Sequence, residues 1–250
     1  MRHVFLAVLV GLTVGCSTKR SDTDEIVVLS AASMTDAVEA LADSFEAAYP
    51  HWHVVHGVAA TSVLARQIEQ GVRADVFFSA NREWIDHLIG QGRVAGKPVE
   101  FLTNRLVIVG PVGAKPLDSL TDLGALGRIA LADPEHVPAG VYARSSLECA
   151  GLWDTLVDRV LPTLDVRAAL MAIRSGAADA AIVYASDVHI TESVNVLLVW
   201  PQHCAPEIRH VAALLCSTPN EEGAERFMAF STDDVGAHFW RRFGFEPLVD

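Results

Sequence analysis

Short apolar runs alternate along this chain with longer segments in which apolar residues recur every three or four positions, and no other feature restricts its fold as strongly. Ile26-Val27-Val28-Leu29 precedes the segment Met34 to Ala48, Val54-Val55 precedes Val63 to Gln70, and Val76-Phe77-Phe78 follows. A short apolar run bounded by polar residues reads as a buried strand, and a 3.6-residue period reads as a helix with one apolar face. Their alternation predicts an α/β body with largely parallel sheet, because each helix returns the chain to start the next strand in the same direction. In the first helix Met34, Val38, Leu41, Phe45 and Ala48 form the inward stripe, Asp36, Glu39 and Asp43 face outward, and Pro50 stops it.

The same alternation continues through Leu106-Val107-Ile108-Val109, Arg128 to Leu131, Ala139 to Ala150, Val166 to Arg174, Ala180 to Val183, Val196 to Val199 and Val211 to Leu215. Glu221 to Arg242 reads as one closing helix, with Phe227, Phe230, Phe239 and Trp240 on it. No internal repeat interrupts the pattern. Periodicity gives one or two α/β domains and does not choose between them.

Ahead of Ile26 the chain has another character. Met1-Arg2-His3, an apolar stretch from Val4 to Val14, and the small residues Gly15 and Cys16 have the layout of an export signal, too short to cross a bilayer as a finished helix. Cys16 after Gly15 resembles a bacterial lipoprotein site, at which that cysteine carries the lipid; Thr13 departs from the usual leucine, which keeps plain secretion open. The expectation is residues 1–16 as signal, residues 17–25 as a polar tether, and a periplasmic or cell-surface body touching the membrane only through lipid on Cys16. Roughly 225 residues remain for that body, enough for well-buried cores.

A formal charge of −12 argues against nucleic acid as a partner, and any anion bound must be held by a local site. Apart from Cys16 the cysteines are Cys149, Cys204 and Cys216. Cys204 and Cys216, on a loop and a strand close in sequence, either pair in an oxidising compartment or stay as separate buried thiols.

Four stretches put small or hydroxyl-bearing residues where a helix should begin: Ala31-Ala32-Ser33, Ala60-Thr61-Ser62, Pro138-Ala139-Gly140 and Asp165-Val166. A helix start offers unpaired N–H groups and the positive end of the macrodipole, so it suits an anion without a cationic side chain. Each of these residues is also an ordinary capping choice when taken alone.

Taken together, "AASMTDA", "TSVLARQIEQGVRADVFFSAN", "LADPEHVPAGVYA", "DVRAAL", "IVYASD" and "FWRRFGF" resemble, in order and over nearly all of the body, the molybdate-binding proteins of ABC importers. That resemblance implies a type II periplasmic-binding-protein fold, two α/β lobes with the ligand between them, with residues 26–104 plus 212–250 as lobe 1 and 105–211 as lobe 2. It implies donors from Ser33 and from Thr61 or Ser62 in lobe 1, and from the Ala139 and Val166 N–H groups and the Tyr184 hydroxyl in lobe 2. Ala60-Thr61-Ser62 replaces the family's serine run, so which hydroxyl faces the ligand stays open. The implied partners are a molybdate or tungstate oxyanion and an ABC permease with its ATPase; the implied state is a monomer with no cofactor, and molybdenum enters only as the bound oxyanion.

A site made only of donors suits a fully deprotonated dianion. Phosphate at neutral pH keeps a proton that would go unpaired there, at a cost of about 1 to 3 kcal/mol, and sulfate is smaller than the spacing such donors would set. Binding of sulfate or phosphate is the alternative within this class, with Asp187 the candidate acceptor for a phosphate proton. Chelated iron calls for several tyrosines, and the chain has Tyr49, Tyr142 and Tyr184. A metal site would draw on His51, His53 and His56 of "HWHVVH", or on His203 and Cys204, although zinc spacings are not met. A hydrolase would need Asp133 and Glu135 as acid and base, where Pro134 favours a turn. His136 is expected to order its loop, and Arg167 to point to solvent from just inside a helix start.

Overall fold

The computed structural model describes residues 24–216 and 218–248. The export signal, the Cys16 lipid site and residues 17–23 of the tether lie outside the described residues.

Among these residues the strands form two sheets. The first has the order β11-β4-β10-β3-β1-β2, built from β1 (Glu25–Ala31), β2 (His53–Ala59), β3 (Val76–Ser79), β4 (Val94–Asn104), β10 (Ile208–Leu215) and β11 (Glu246–Pro247). The second has the order β7-β6-β8-β5-β9, from β5 (Leu106–Pro111), β6 (Ile129–Ala132), β7 (Val160–Thr163), β8 (Ala180–Tyr184) and β9 (Val194–Val199). Each sheet carries one lobe. The chain passes to the second at Arg105 and returns between Val199 and Ile208. All of β10 from Ile208 onward lies in the first sheet, four residues ahead of the return expected at 212.

The expectation of largely parallel sheet is corrected. β1 runs parallel to β2 and β3, and β6 parallel to β7 and β8, but β10 is antiparallel to both β3 and β4, β11 to β4, and β5 to both β8 and β9. Apart from β11, which follows α9, the antiparallel strands are those around the two crossings between lobes. A strand that enters a sheet from the other lobe arrives without a covering crossover helix, and nothing then requires it to run with its neighbours.

The helices cover both faces of the sheets. α1 (Thr35–Ala48) buries Val38, Leu41 and Phe45 as its period predicts, whereas Ala48 is exposed at its end. The others are α2 (Thr61–Glu69), α3 (Arg82–Gly90), α4 (Pro138–Cys149), α5 (Trp153–Leu156), α6 (Val166–Arg174), α7 (Ala185–His189), α8 (Glu221–Thr232) and α9 (Asp234–Arg242). The single closing helix expected over 221–242 is two, because the Asp233 carboxylate turns in to accept from the Val235 and Gly236 N–H groups and starts a new helix. Phe45, Phe78, Phe101, Phe227 and Trp240 form one aromatic core under the first sheet, and Ile108, Leu131, Ile173, Ile182 and Val183 centre the core of the second lobe.

The cysteine expectation also changes. Cys149, at the end of α4, bonds to Cys204 in the return segment, and Cys216 is free and exposed. Cys204 is separated from Cys216 by the whole of β10, which carries Cys216 out along the first lobe, while 204 still lies against the second.

Candidate functional site

Each parallel strand near the cleft ends in a helix start, and the starts converge. β1 runs out at Ala31 into a single 3-10 turn, Ala32–Met34; β2 ends one residue before α2; β6 leads through residues 133–137 to α4; β7 leads to α6; and β8 leads directly to α7. The carboxyl ends of strands are where open α/β sheets form crevices. Here two sheets place theirs face to face.

The crevice is lined by Ser33, Thr61, Ala139, Asp165, Val166 and Tyr184, with Ala80 and Val137 among the remaining residues, and encloses about 230 Å³ counting its mouth. Five of the six residues singled out in the sequence thus meet in one cavity. Ser62 does not line it, although it is buried. Thr61 takes that place, with its Oγ1 accepting from the Ala80 N–H at 3.2 Å, which leaves the hydroxyl proton free to donate into the cavity. Ala80 and Val137 were not singled out by sequence reasoning; the "FFSAN" and "PEHVPAG" runs that contain them were the available sign.

Ser33 Oγ and Tyr184 Oη are buried without a hydrogen-bond partner. Burial lifts the Tyr184 phenol well above its ordinary range, helped by Tyr142 and the Asp187 carboxylate, so it remains a protonated donor. The helix starts add backbone donors: the first N–H groups of α2, α4 and α6 have no intrahelical acceptor. Pro138 takes the first position of α4, where its missing N–H costs nothing. Gly140 lets that helix start close to β6, since a Cβ there would stand 2.0 Å from the Ala132 carbonyl oxygen and 2.4 Å from that of Asp133. Among the described residues no lysine or arginine lines the cavity, and the one carboxylate that does, Asp165, caps α6 by accepting from the Ala168 N–H at 2.8 Å. The arrangement is a set of neutral donors aimed at a small volume.

Around the cavity the lobes touch directly. The Trp84 indole N–H of α3 donates to the His136 carbonyl oxygen at 3.1 Å, and the Asn104 amide donates to Ser186 Oγ at 2.8 Å where the chain crosses over. His136 Nδ1 lies 3.2 Å from Asp133 Oδ2, and Asp133 Oδ1 accepts from the Glu135 N–H at 2.9 Å, so both side chains order their loop. Glu135 pairs with Arg144. Arg167 does not point to solvent as expected. Its Nη2 donates to Asp36 Oδ2 at 2.7 Å and to the Ser33 carbonyl oxygen at 3.3 Å, and its Nε lies 3.1 Å from Asp187 Oδ1. Asp187 is fully buried outside the cavity lining, and its Oδ2 accepts from the Tyr184 N–H at 3.1 Å. Burial pushes its carboxyl up to about 7 against the opposing pull of Arg167 and that N–H.

The histidines of "HWHVVH" do not assemble. His56 turns inward to Ser30 Oγ at 2.7 Å, His53 pairs with Glu46, and among the described residues no group of three metal-binding side chains could hold an ion. Nor is any described helix long and apolar enough to cross a membrane.

A family profile described as bacterial extracellular solute-binding protein matches residues 26–246. The molybdate-binding protein ModA of Escherichia coli is 34% identical over 90% of this chain and 90% of its own length. A putative ABC transporter substrate-binding lipoprotein of Bacillus subtilis, YvgL, is 31% identical over 97% of this chain and 96% of its own. The periplasmic molybdate-binding protein of Azotobacter vinelandii superposes with a TM-score of 0.79 at 25% identity, covering 90% of this chain and 99% of that one.

Proposed function

This chain belongs to the bacterial extracellular solute-binding proteins, and from that premise we propose that it captures molybdate or tungstate between its lobes and delivers it to an ABC importer. The observation that carries this reading is the pair of buried hydroxyls, Ser33 Oγ and Tyr184 Oη, left without partners in a cavity ringed by helix starts. An unmade hydrogen bond at a buried donor costs about 1 to 3 kcal/mol, and two such donors facing one space are accounted for by an acceptor that arrives from outside. Relatives named for molybdate binding support the choice among oxyanions.

The chemistry is binding and release. A dianion entering the cavity meets Ser33 and Thr61 from one lobe and the Ala139 and Val166 N–H groups and Tyr184 from the other, so its hydrogen bonds are complete only when the lobes are together. That difference favours the closed form by hinge motion, and a permease can recognise the closed surface. The site requires no cofactor in this reading; molybdenum is cargo. Cys16 carries the lipid that tethers the protein outside the cytoplasm.

Calorimetric titration of the protein from Ser21 onward with molybdate, tungstate, sulfate and phosphate tests the reading. One-to-one binding of the first two with little heat from the others is expected. Preference for sulfate or phosphate overturns the choice of ligand, and no binding of any of the four overturns the site.

A further inference from the structure

Arg167 donates to the backbone of Ser33, which lines the cavity, yet does not itself line it. It occupies the second position of α6, directly after Val166, and only about a quarter of its side chain is exposed. Its two hydrogen bonds and one further ion pair divide between the lobes. Asp187 belongs to the second lobe, as Arg167 does, so that ion pair is indifferent to whether the cleft is open. Asp36 on α1 and the Ser33 carbonyl belong to the first lobe, and those bonds exist only while the lobes are together. The same guanidinium therefore reaches the three segments that bring Ser33, Val166 and Tyr184 to the cavity, the last through Asp187 and the Tyr184 N–H.

Resting on the oxyanion-binding reading above, we propose that Arg167 is a closure latch: a positioning residue that, held against Asp187 within its own lobe, grips Asp36 and the Ser33 backbone when the lobes meet and so sets how long the anion is held. The placement has a second effect. With the Asp36 carboxylate on it in the closed state and Asp187 beside it, the guanidinium does not stand as an unbalanced cation next to the site, and so does not favour anions in general over those that fit the donor set. The latch contributes to residence and the neutral donors to choice.

Entry of the anion precedes closure, so a latch made only in the closed state slows dissociation and leaves association alone. Stopped-flow kinetics with molybdate on the wild type and on Asp36→Asn, Asp36→Glu and Arg167→Gln read this separation. Asp36 is nearly half exposed and its loss leaves no buried charge, so Asp36→Asn is the variant that folds. Its dissociation rate is expected to rise about 3- to 5-fold with the association rate unchanged, as for a partly exposed ion pair. Asp36→Glu should restore slow release. The double variant Asp36→Asn/Arg167→Gln should release molybdate no faster than Arg167→Gln alone, because both changes remove one contact. A wild type that binds molybdate and an Asp36→Asn variant that releases it at the wild-type rate overturn the latch and leave the binding reading standing, as does a double variant whose effects simply multiply. A wild type that binds none of the oxyanions overturns both.

Discussion

Ser33 Oγ and Tyr184 Oη enter one cavity from different lobes, and neither hydroxyl has a hydrogen-bond partner. In the unliganded fold these two groups are therefore a cost, and removing them separates binding from stability in a way that few substitutions can.

Ser33→Ala and Tyr184→Phe are each expected to weaken molybdate binding by about 1.5 to 3 kcal/mol, the range for a hydrogen bond to a charged group. Neither should lower the melting temperature of the ligand-free protein. Calorimetry and thermal unfolding of the same preparations check this, and a variant that melts earlier while binding normally would assign its hydroxyl a structural role.

Gly140→Ala should damage fold and site together. The added methyl would meet two backbone carbonyl oxygens, at 2.0 and 2.4 Å, which cannot rotate away as a side chain could. Displacing the start of α4 moves the Ala139 N–H, so a loss of about 3 kcal/mol or more in unfolding free energy, with oxyanion binding abolished, is the expected result. Denaturant unfolding and titration of the variant measure both.

The Cys149–Cys204 bridge spans 55 residues of sequence and anchors the far end of the helix whose near end faces the cavity. Replacing both cysteines with serine should cost about 4 kcal/mol, the chain-entropy expectation for a loop of that length. Binding should persist, because α4 keeps about 18 Å between its two ends. Unfolding with and without reductant, followed by titration, tests the two halves of this statement.

Acid should weaken the fold through buried histidines. Burial pushes His210 down to about 3 and His56 to about 4, from 6.5 for a free ring, so the unfolded chain binds more protons than the folded one from about pH 3 to 6.5. Stability rises with pH across that window. Asp187 opposes them: with its carboxyl up at about 7, its contribution is greatest in acid and falls between about pH 4 and 7. Two histidines against one carboxylate leave a net rise up to about pH 6.5. His210 stacks edgewise on Tyr184 and Phe245 with both ring nitrogens buried and unpartnered, so His210→Phe fits the same space. Unfolding free energies at pH 4, 5 and 6 should then fall less steeply with acid than in the wild type, by up to about 1.4 kcal/mol per pH unit. An unchanged slope would show that His210 takes up protons freely in the folded state.

Residues that make the cavity were legible where local pattern and site coincide. Thr61, Ala139 and Val166 sit at helix starts, and a helix start is written in the few residues around it. What the sequence did not show depends on partners far along the chain. The direction of Arg167 is set by Asp36 and Asp187, which stand 131 and 20 positions away, and a rule about helix starts sends such a residue to solvent. Cys204 was matched to Cys216 by closeness in sequence, yet β10 takes the two apart. β4 escaped notice because Gly96, Lys97 and Pro98 interrupt its apolar alternation, and because an edge-side strand paired only through β10 and β11 needs less of it. α3 carries its own start sign, since the Asn81 side chain accepts from the Trp84 N–H, but its inward face is reduced to Ile85 and Leu88.

The strand order also fixes a schedule. β4 has no pairing with β3; it joins the first sheet only through β10, which begins at Ile208, and β11. A chain emerging from its N-terminus can complete the second sheet once Val199 is out, entirely from contiguous sequence, while the first waits with β4 unattached. The lobe that starts first thus finishes last, and the last forty or so residues decide when the cleft acquires its second wall. A protein truncated before Ile208 would retain one self-sufficient lobe and an unfinished sheet, with half the cavity and nothing to close against it.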